Sequence, residues 1–231
     1  MSAIILGIET ATDACSVAII TPTQTCNLFV IEPQAHAKLL LGMVDQICTQ
    51  AGVTLKDIDA FAFGSGPGSF TGVRIAASVV QGLAFGVSKP VIAVSSLQAL
   101  AQQEFNVHGS ELVAALLDAR MQEIYYGSYK ANANGLMMPL SEDMLKKPEE
   151  FTIDIAAPCV AVGTGVAAYG EIIKHRNPNL VIDASILHPR AQEIVQLAEE
   201  EFKRGVVLQP SEAIPTYIRD DVAKKSKKNP D

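Results

Sequence analysis

The chain reads as an α/β protein made of two halves with related topology, and three observations lead there. Apolar, β-branched segments of strand length alternate with longer apolar helical segments along the 231 residues. A glycine-rich turn, Gly64-Ser65-Gly66-Pro67-Gly68-Ser69-Phe70-Thr71-Gly72-Val73-Arg74, joins an apolar strand to an apolar helix. The halves also rhyme: Leu6-Gly7-Ile8-Glu9, a short turn and Cys15 to Ile20 are echoed by Ala115-Leu116-Leu117-Asp118, a short turn and Glu123 to Gly127. An acid ends the first strand each time.

Residues 3 to 9, 14 to 21 and 24 to 31 predict three successive strands, with turn residues at Ala11 to Asp13 and Pro22 to Gln24, so the fold opens as a meander. Periodicity predicts a helix over 34 to 51, a strand over 59 to 64, a helix over 70 to 86 and a strand over 91 to 94. A helix through Leu97 to Phe105 closes this half, and Asn106 to Ser110 reads as a polar connection. The second cycle starts with strands at 111 to 118 and 123 to 130, followed by an irregular stretch from Gly135 to Phe151 whose elements the pattern does not define. A buried strand at 159 to 163, a helix at 165 to 176, a strand at 180 to 184 and a helix at 189 to 204 complete it. The expected division is a first lobe over 1–106, a second over 107–210 and a C-terminal segment over 211–231 ending in the basic tail Lys224-Lys225-Ser226-Lys227-Lys228.

Composition narrows the function classes. With 48% hydrophobic and 19% charged residues there is material for a sizeable core. The opening apolar run is short, lacks a basic flank and is broken by Glu9, so it reads as a first strand and not a signal peptide. No stretch is expected to span a bilayer, which needs about 18 to 20 apolar residues. The four cysteines, Cys15, Cys26, Cys48 and Cys159, are scattered without a Cys-x-x-Cys pair, as free thiols in a reducing cytosol would be, and a cytoplasmic location is expected. A net charge of −7 opposes unaided binding to nucleic acid. Any such contact would need a partner.

The glycine-rich turn admits two readings. Glycines allow positive φ and close backbone approach, and the helix that follows offers unpaired amides, so the segment is either an anion site or a tight strand-to-helix turn. None of the 16 glycines precedes a lysine, so there is no Walker A sequence, and no Gly-x-Gly-x-x-Gly run starts at Gly64. Neither Ser65 nor Ser69 sits in Gly-x-Ser-x-Gly, which removes the serine-hydrolase reading. Candidates to face a phosphate or nucleotide are Thr10, Thr12 and Asp13 in the first turn, Gly66, Gly68, Ser69 and Arg74 around the loop, and Gly163 and Gly165 at the start of a later helix. Asp118, Arg120 and Glu123 surround a predicted hairpin turn, where mixed charges commonly form a locally paired face. Arg74 could neutralise an anion, reach a partner carboxylate or cap its own helix.

Two helices are more apolar than one core requires. On the first, Leu39 and Met43 flank the stripe Leu40, Val44, Ile47, Cys48 and Ala51 and widen the apolar arc to roughly 200°, against about 100° for a surface helix. The helix from Phe70 is apolar nearly all round, with Gly72, Ala76, Ala77, Gly82 and Ala84 permitting close approach. Either the second helix lies beneath the sheet and another helix of its own chain, or a second protein packs on this pair; the second reading is favoured, because a large apolar patch left in water is a liability.

Four motifs in order carry a resemblance. Ile8-Glu9-Thr10-Ala11-Thr12-Asp13-Ala14-Cys15-Ser16-Val17-Ala18, Gly66-Pro67-Gly68-Ser69-Phe70-Thr71-Gly72-Val73-Arg74-Ile75, Asp118-Ala119-Arg120-Met121-Gln122-Glu123-Ile124-Tyr125 and Pro215-Thr216-Tyr217-Ile218-Arg219 resemble the TsaB (YeaZ) family over nearly the whole chain. The resemblance implies the actin-like ATPase and sugar-kinase (ASKHA) fold, with two lobes each holding a mixed sheet and helices. It also implies an accessory role in forming tRNA N6-threonylcarbamoyladenosine (t6A): binding the TsaD transferase subunit as a heterodimer, with the TsaE ATPase joining. On this reading the chain has no catalytic residue, no metal and no cofactor of its own, ATP enters only within the complex, tRNA is met only through it, and no membrane is involved.

TsaD-type subunits hold a metal through His-x-x-x-His, and here His36 is followed four residues later by Leu40, which cannot coordinate one. His108, His175 and His188 have no companions in the sequence. Glu9 stands where actin-like nucleotidases usually carry aspartate, and its extra methylene would displace a metal-bound water. The expected partner surface comprises His36, Leu39, Met43, Phe70, Gly72, Val73, Ala76, Val80 and Gly82, the same patch pairing two copies as a homodimer when the partner is missing. The rival reading is an active ATP-dependent phosphotransferase or ATPase of the same fold.

Overall fold

The computed structural model describes residues 3–153 and 158–219, and the basic run from Lys224 to Lys228 lies outside them. The first sheet contains β1 (Ile5–Glu9), β2 (Ala14–Ile20), β3 (Thr25–Ile31), β4 (Ala60–Gly64) and β5 (Val91–Val94) in the order β3-β2-β1-β4-β5. The first three strands pair antiparallel as the predicted meander, and β4 and β5 extend the sheet in parallel. The second sheet is built from β6 (Leu112–Asp118), β7 (Ile124–Ala131), β8 (Met137–Pro139), β9 (Met144–Lys146), β10 (Val160–Val162) and β11 (Val181–Ile182), with β9 paired to β7 beside the path β11-β10-β6-β7-β8. Read from β8, that order repeats the first sheet strand for strand: an antiparallel meander of β8, β7 and β6, then β10 and β11 in parallel. The rhyme in the sequence is a duplicated topology, in the two-lobed arrangement that the resemblance implies.

Alternation decides what each face of the first sheet buries. Leu6, Ile8, Val17, Phe61 and Phe63 point to one side, under Leu40, Val44 and Ile47 of α1 (His36–Ala51) and Ala76, Val80 and Ala84 of α2 (Phe70–Val87). Ile5, Ala18, Ala60, Ala62 and Ile92 point to the other, under Ala191, Ile194, Val195 and Ala198 of α5 (Ala191–Lys203). Both faces are covered, which is why β1 and β4 are buried at every position. In the second sheet α4 (Thr164–Arg176) packs Val166 and Ile173 against Leu112, Ala114 and Leu116 on one face. On the opposite face α3 (Ser96–His108) sets Leu97, Leu100 and Ala101 on Val113, Ala115 and Leu117.

Three expectations need correction. The division at 106 and 210 places α3 with the first lobe and α5 with the second, but α5 packs on the first sheet and α3 on the second. Sequence order does not reveal this exchange, since both helices carry an ordinary apolar stripe. The polar connection expected from Asn106 is the last turn of α3, which continues to His108 and ends at Gly109 with φ 76°. And α2, at 18 residues, is long and apolar enough by composition to cross a membrane, contrary to the expectation that no segment is. In the fold Gly72, Val73, Ala76, Ala77, Val80 and Ala84 of this helix are buried, 33% of its length, while Phe70 and Phe85 stay exposed.

The stretch from Gly135 to Phe151 holds β8 and β9, three residues each. Its anchor is Asp143, which accepts hydrogen bonds from the Tyr129 hydroxyl and from Ser95 Oγ at 2.6 Å. Burial pushes both the Asp143 carboxyl and the Tyr129 phenol up from their ordinary values. Ser95 also caps α3, its Oγ accepting from the Gln98 amide at 3.3 Å, so one serine joins a helix start to the loop.

Candidate functional site

A cleft of about 440 Å³ lies between the lobes, where the β1–β2 and β6–β7 turns and the starts of α2 and α4 converge. Ala11, Thr12, Asp13, Gly68, Ser69 and Phe70 line it from the first lobe, Asp118, Arg120, Tyr125, Thr164 and His188 from the second, and Thr216 to Arg219 from the C-terminal segment. The structure thus brings Thr12, Asp13, Gly68 and Ser69 together at one cleft. Thr10, Gly66, Gly163, Gly165 and Arg74 do not line the cleft, and each has a local reason.

Thr10 is fully buried, and its hydroxyl donates to the Gly72 carbonyl at 2.8 Å. A Cβ on Gly72 would collide with the Thr10 carbonyl, and one on Gly68 would sit 2.5 Å from the Ala11 carbonyl oxygen. The Ser69 amide donates to that same Ala11 carbonyl at 2.7 Å. These glycines therefore let the loop lie directly on the β1–β2 turn; Gly66 adds a φ of 97°. Ser69 caps α2, its Oγ accepting from the Gly72 amide at 3.3 Å. Gly163, at φ 106°, and Gly165 pack on the Leu116 backbone in the same manner. Of the two readings of the glycine-rich segment, the geometry supports the tight turn.

The strand-ending acids are likewise occupied. Glu9 is buried to 1% exposure, and its carboxylate accepts from the Ala11 amide at 2.5 Å and from Ser96 Oγ at 2.7 Å. Burial raises its pKa, opposed by those hydrogen bonds. Gly64 makes room for it: a Cβ there would overlap the Glu9 carboxylate. Asp118 accepts from the Arg120 amide at 2.9 Å and pairs with the Arg120 guanidinium at 3.0 Å. Arg219 binds Glu123 and donates to the Ala119 carbonyl at 3.1 Å. Arg74 lies 3.2 Å from the centroid of the Phe70 ring and 5.0 Å from that of Tyr217, donating to the Phe70 carbonyl at 3.4 Å. Arg74, Arg120 and Arg219 are each engaged with carboxylates or aromatic faces, an arrangement unlike a free anion cradle.

Two histidines have partners that the sequence does not reveal. His188 Nδ1 is 2.9 Å from Thr12 Oγ1, so a histidine expected to stand alone ties the segment before α5 to the first turn; burial lowers its pKa. His108, also expected to be alone, sits beside Glu104 and Asp183. Tyr217 and Arg219 are visible in the sequence only as part of a motif, with nothing there to show that they close the cleft.

The helical layer corrects the expected partner surface. His36, Gly72, Val73, Ala76 and Val80 are buried within the chain, with Ala76 and Val80 completely buried in the core between α2 and the sheet. Leu39 and Met43 fall outside that buried set, both half-buried, and Gly82 and Phe70 are exposed. The outer face of the pair instead presents Leu41 and Gly42 of α1 with Gly82, Phe85 and Gly86 of α2. Leu41 is 58% exposed and Phe85 79%. A Cβ at Gly42, Gly82 or Gly86 would meet nothing, so these glycines leave open ground on the exposed side of the two helices.

Residues 31–227 match the family described as "TsaD: tRNA N6-adenosine threonylcarbamoyltransferase". The tRNA threonylcarbamoyladenosine biosynthesis protein TsaB of Escherichia coli is 39% identical over 225 residues, covering 96% of each chain. Its counterpart of the same name in Haemophilus influenzae is 35% identical over 229 residues, covering 96% of this chain and 95% of its own. The solved structure of YeaZ from Pseudomonas aeruginosa superposes with a TM-score of 0.88 at 41% identity, covering 93% of this chain and 99% of that one. Fold, motif order and full-length similarity agree, and the chain belongs to the TsaB (YeaZ) family.

Proposed function

We propose that this chain works in t6A formation as a non-catalytic partner subunit, binding a TsaD-type transferase through the outer face of α1 and α2, with a TsaE-type ATPase joining the assembly. The observation that carries this reading is the apolar face around Leu41, Gly82 and Phe85, left open by a fold that covers both sides of its first sheet. The name shared by the bacterial relatives supports the pathway. The state of the cleft supports the absence of catalysis by this chain: the carboxylate at the end of β1 is turned inward to Ala11 and Ser96, and the loop glycines are taken up by packing. Nucleotide and tRNA then act on the complex and not on this subunit, which resides in the cytoplasm. Without its partner, the same face pairs two copies of the chain.

Size exclusion with light scattering, on the purified chain alone and mixed with its cognate TsaD, tests the assembly. A heterodimer that replaces any homodimer is the expected result. Two non-interacting species, together with magnesium-dependent ATP hydrolysis by this chain alone, would overturn it in favour of a phosphotransferase.

A further inference from the structure

We propose that Glu104, His108 and Asp183 form a binding site for a divalent transition-metal cation of the zinc class, at the junction of α3 with the segment that follows β11. His108 Nδ1 lies 2.9 Å from Glu104 Oε2 and 3.1 Å from Asp183 Oδ2, and one donor atom from each residue falls within 4.8 Å of the others. Two ligand atoms each about 2.1 Å from a shared tetrahedral ion stand about 3.4 Å apart, within about 0.5 Å of this spacing.

Both carboxylates are held for the purpose. Ser110 Oγ donates to Glu104 Oε1 at 2.7 Å, and the Ser185 amide donates to Asp183 Oδ1 at 2.7 Å. Each acid therefore commits one oxygen to an orienting hydrogen bond and turns the other toward the imidazole. Hydrogen bonds of this kind fix metal ligands from outside the coordination sphere.

A triad without a cation leaves the charges and the donors unbalanced. Nδ1 carries at most one hydrogen and cannot donate in line to two carboxylates. The Glu104 side chain is only 2% exposed, yet it has a second carboxylate beside it. A dication satisfies all three ligand atoms and neutralises both acids. Imidazole with two carboxylates is a donor set zinc accepts, and three protein ligands leave a position for water; the His108 side chain, 41% exposed, gives the entry path. Such a cation would pin α3 to the stretch running through Ile186, whose carbonyl accepts from the Gly163 amide at 2.8 Å, to His188 at the cleft.

The test uses the full chain, stripped with EDTA and titrated with zinc chloride by calorimetry, with cobalt absorption as a second readout. One ion per chain is expected, raising the Tm by roughly 5–10 °C at a hundredfold excess over Kd. His108→Gln and Asp183→Asn should each weaken binding at least tenfold, and a zinc-soaked crystal should give an anomalous peak between the three side chains. No binding by the parent chain, or binding that both variants leave unchanged, would overturn the proposal. If circular dichroism shows one variant to be unfolded, the other variant and the anomalous map decide, and a peak elsewhere counts against the site.

Discussion

Phe85→Ala isolates the outer helical face from the fold. Phe85 is 79% exposed on α2, so removing its ring should change the stability of the isolated chain by no more than about 0.5 kcal/mol. In a complex that covers it, the ring would lose about 160 Å² of exposure, taking a phenylalanine to bury roughly 200 Å² in all. At about 25 cal/mol per Å² that is ~4 kcal/mol, of which the remaining alanine keeps a part. The expected loss of about 3 kcal/mol is roughly a hundredfold in Kd. Gly82→Arg approaches the same face from the other direction. No atom lies in the way of a Cβ there, and leaving glycine in a helix interior favours the isolated chain by up to about 1 kcal/mol, while the arginine obstructs the partner. Calorimetric titration of each variant into cognate TsaD, with thermal melts of the free proteins, reads both quantities. A Kd within threefold of the parent for both variants would refute the reasoning, as would a drop of several degrees in the melting temperature of free Phe85→Ala.

Other expectations follow from the same structure. Ala76→Glu should lower the stability of the free chain by more than about 3 kcal/mol, because it places a carboxylate in the filled space between α2 and the sheet; an unchanged urea midpoint would contradict that packing. Glu9→Ala should lose about 1–3 kcal/mol by orphaning the Ala11 amide and Ser96, whereas Glu9→Gln should be tolerated. Since the folded-state pKa of Glu9 is raised, the parent binds its proton more tightly when folded and loses stability relative to Glu9→Gln as pH rises above about 4.5 through the folded value; parallel melting curves for the two across pH 4 to 8 would contradict the burial. Burial pushes the Cys15 and Cys159 thiols up to about 11, so a thiol reagent at neutral pH should modify half-buried Cys26 first and those two only on unfolding, as mass spectrometry of timed samples would show.

Much of the architecture is legible because each strand of the first sheet is short, apolar and bounded by turn residues, and because the duplication repeats an acid at the end of β1 and β6. What escapes is whatever depends on contacts between distant segments. The sequence of α2 announces burial on several sides, but an apolar arc cannot say which part meets the sheet and which part meets water. It therefore points to Ala76 and Val80 together with Gly82, when Ala76 and Val80 meet the sheet and Gly82 and Phe85 meet water. The glycines from Gly66 to Gly72 announce close approach; only the structure shows that the approaching group is the Thr10–Ala11 backbone. β8 and β9 are hidden because three-residue strands are too short for an alternation to register. The exchange of α3 and α5 between the sheets is invisible for a related reason: a stripe on a helix identifies that it packs, not on what.

The most direct test of the partner-subunit account is t6A formation in a reconstituted mixture of this chain, TsaD, TsaE, tRNA, ATP and a threonylcarbamoyl donor, with each protein omitted in turn and nucleosides read by mass spectrometry. The account predicts modification with all proteins present, loss when this chain is left out or replaced by Gly82→Arg, and no modification by this chain alone. Full activity without it, or with a variant that no longer binds TsaD, would contradict the account.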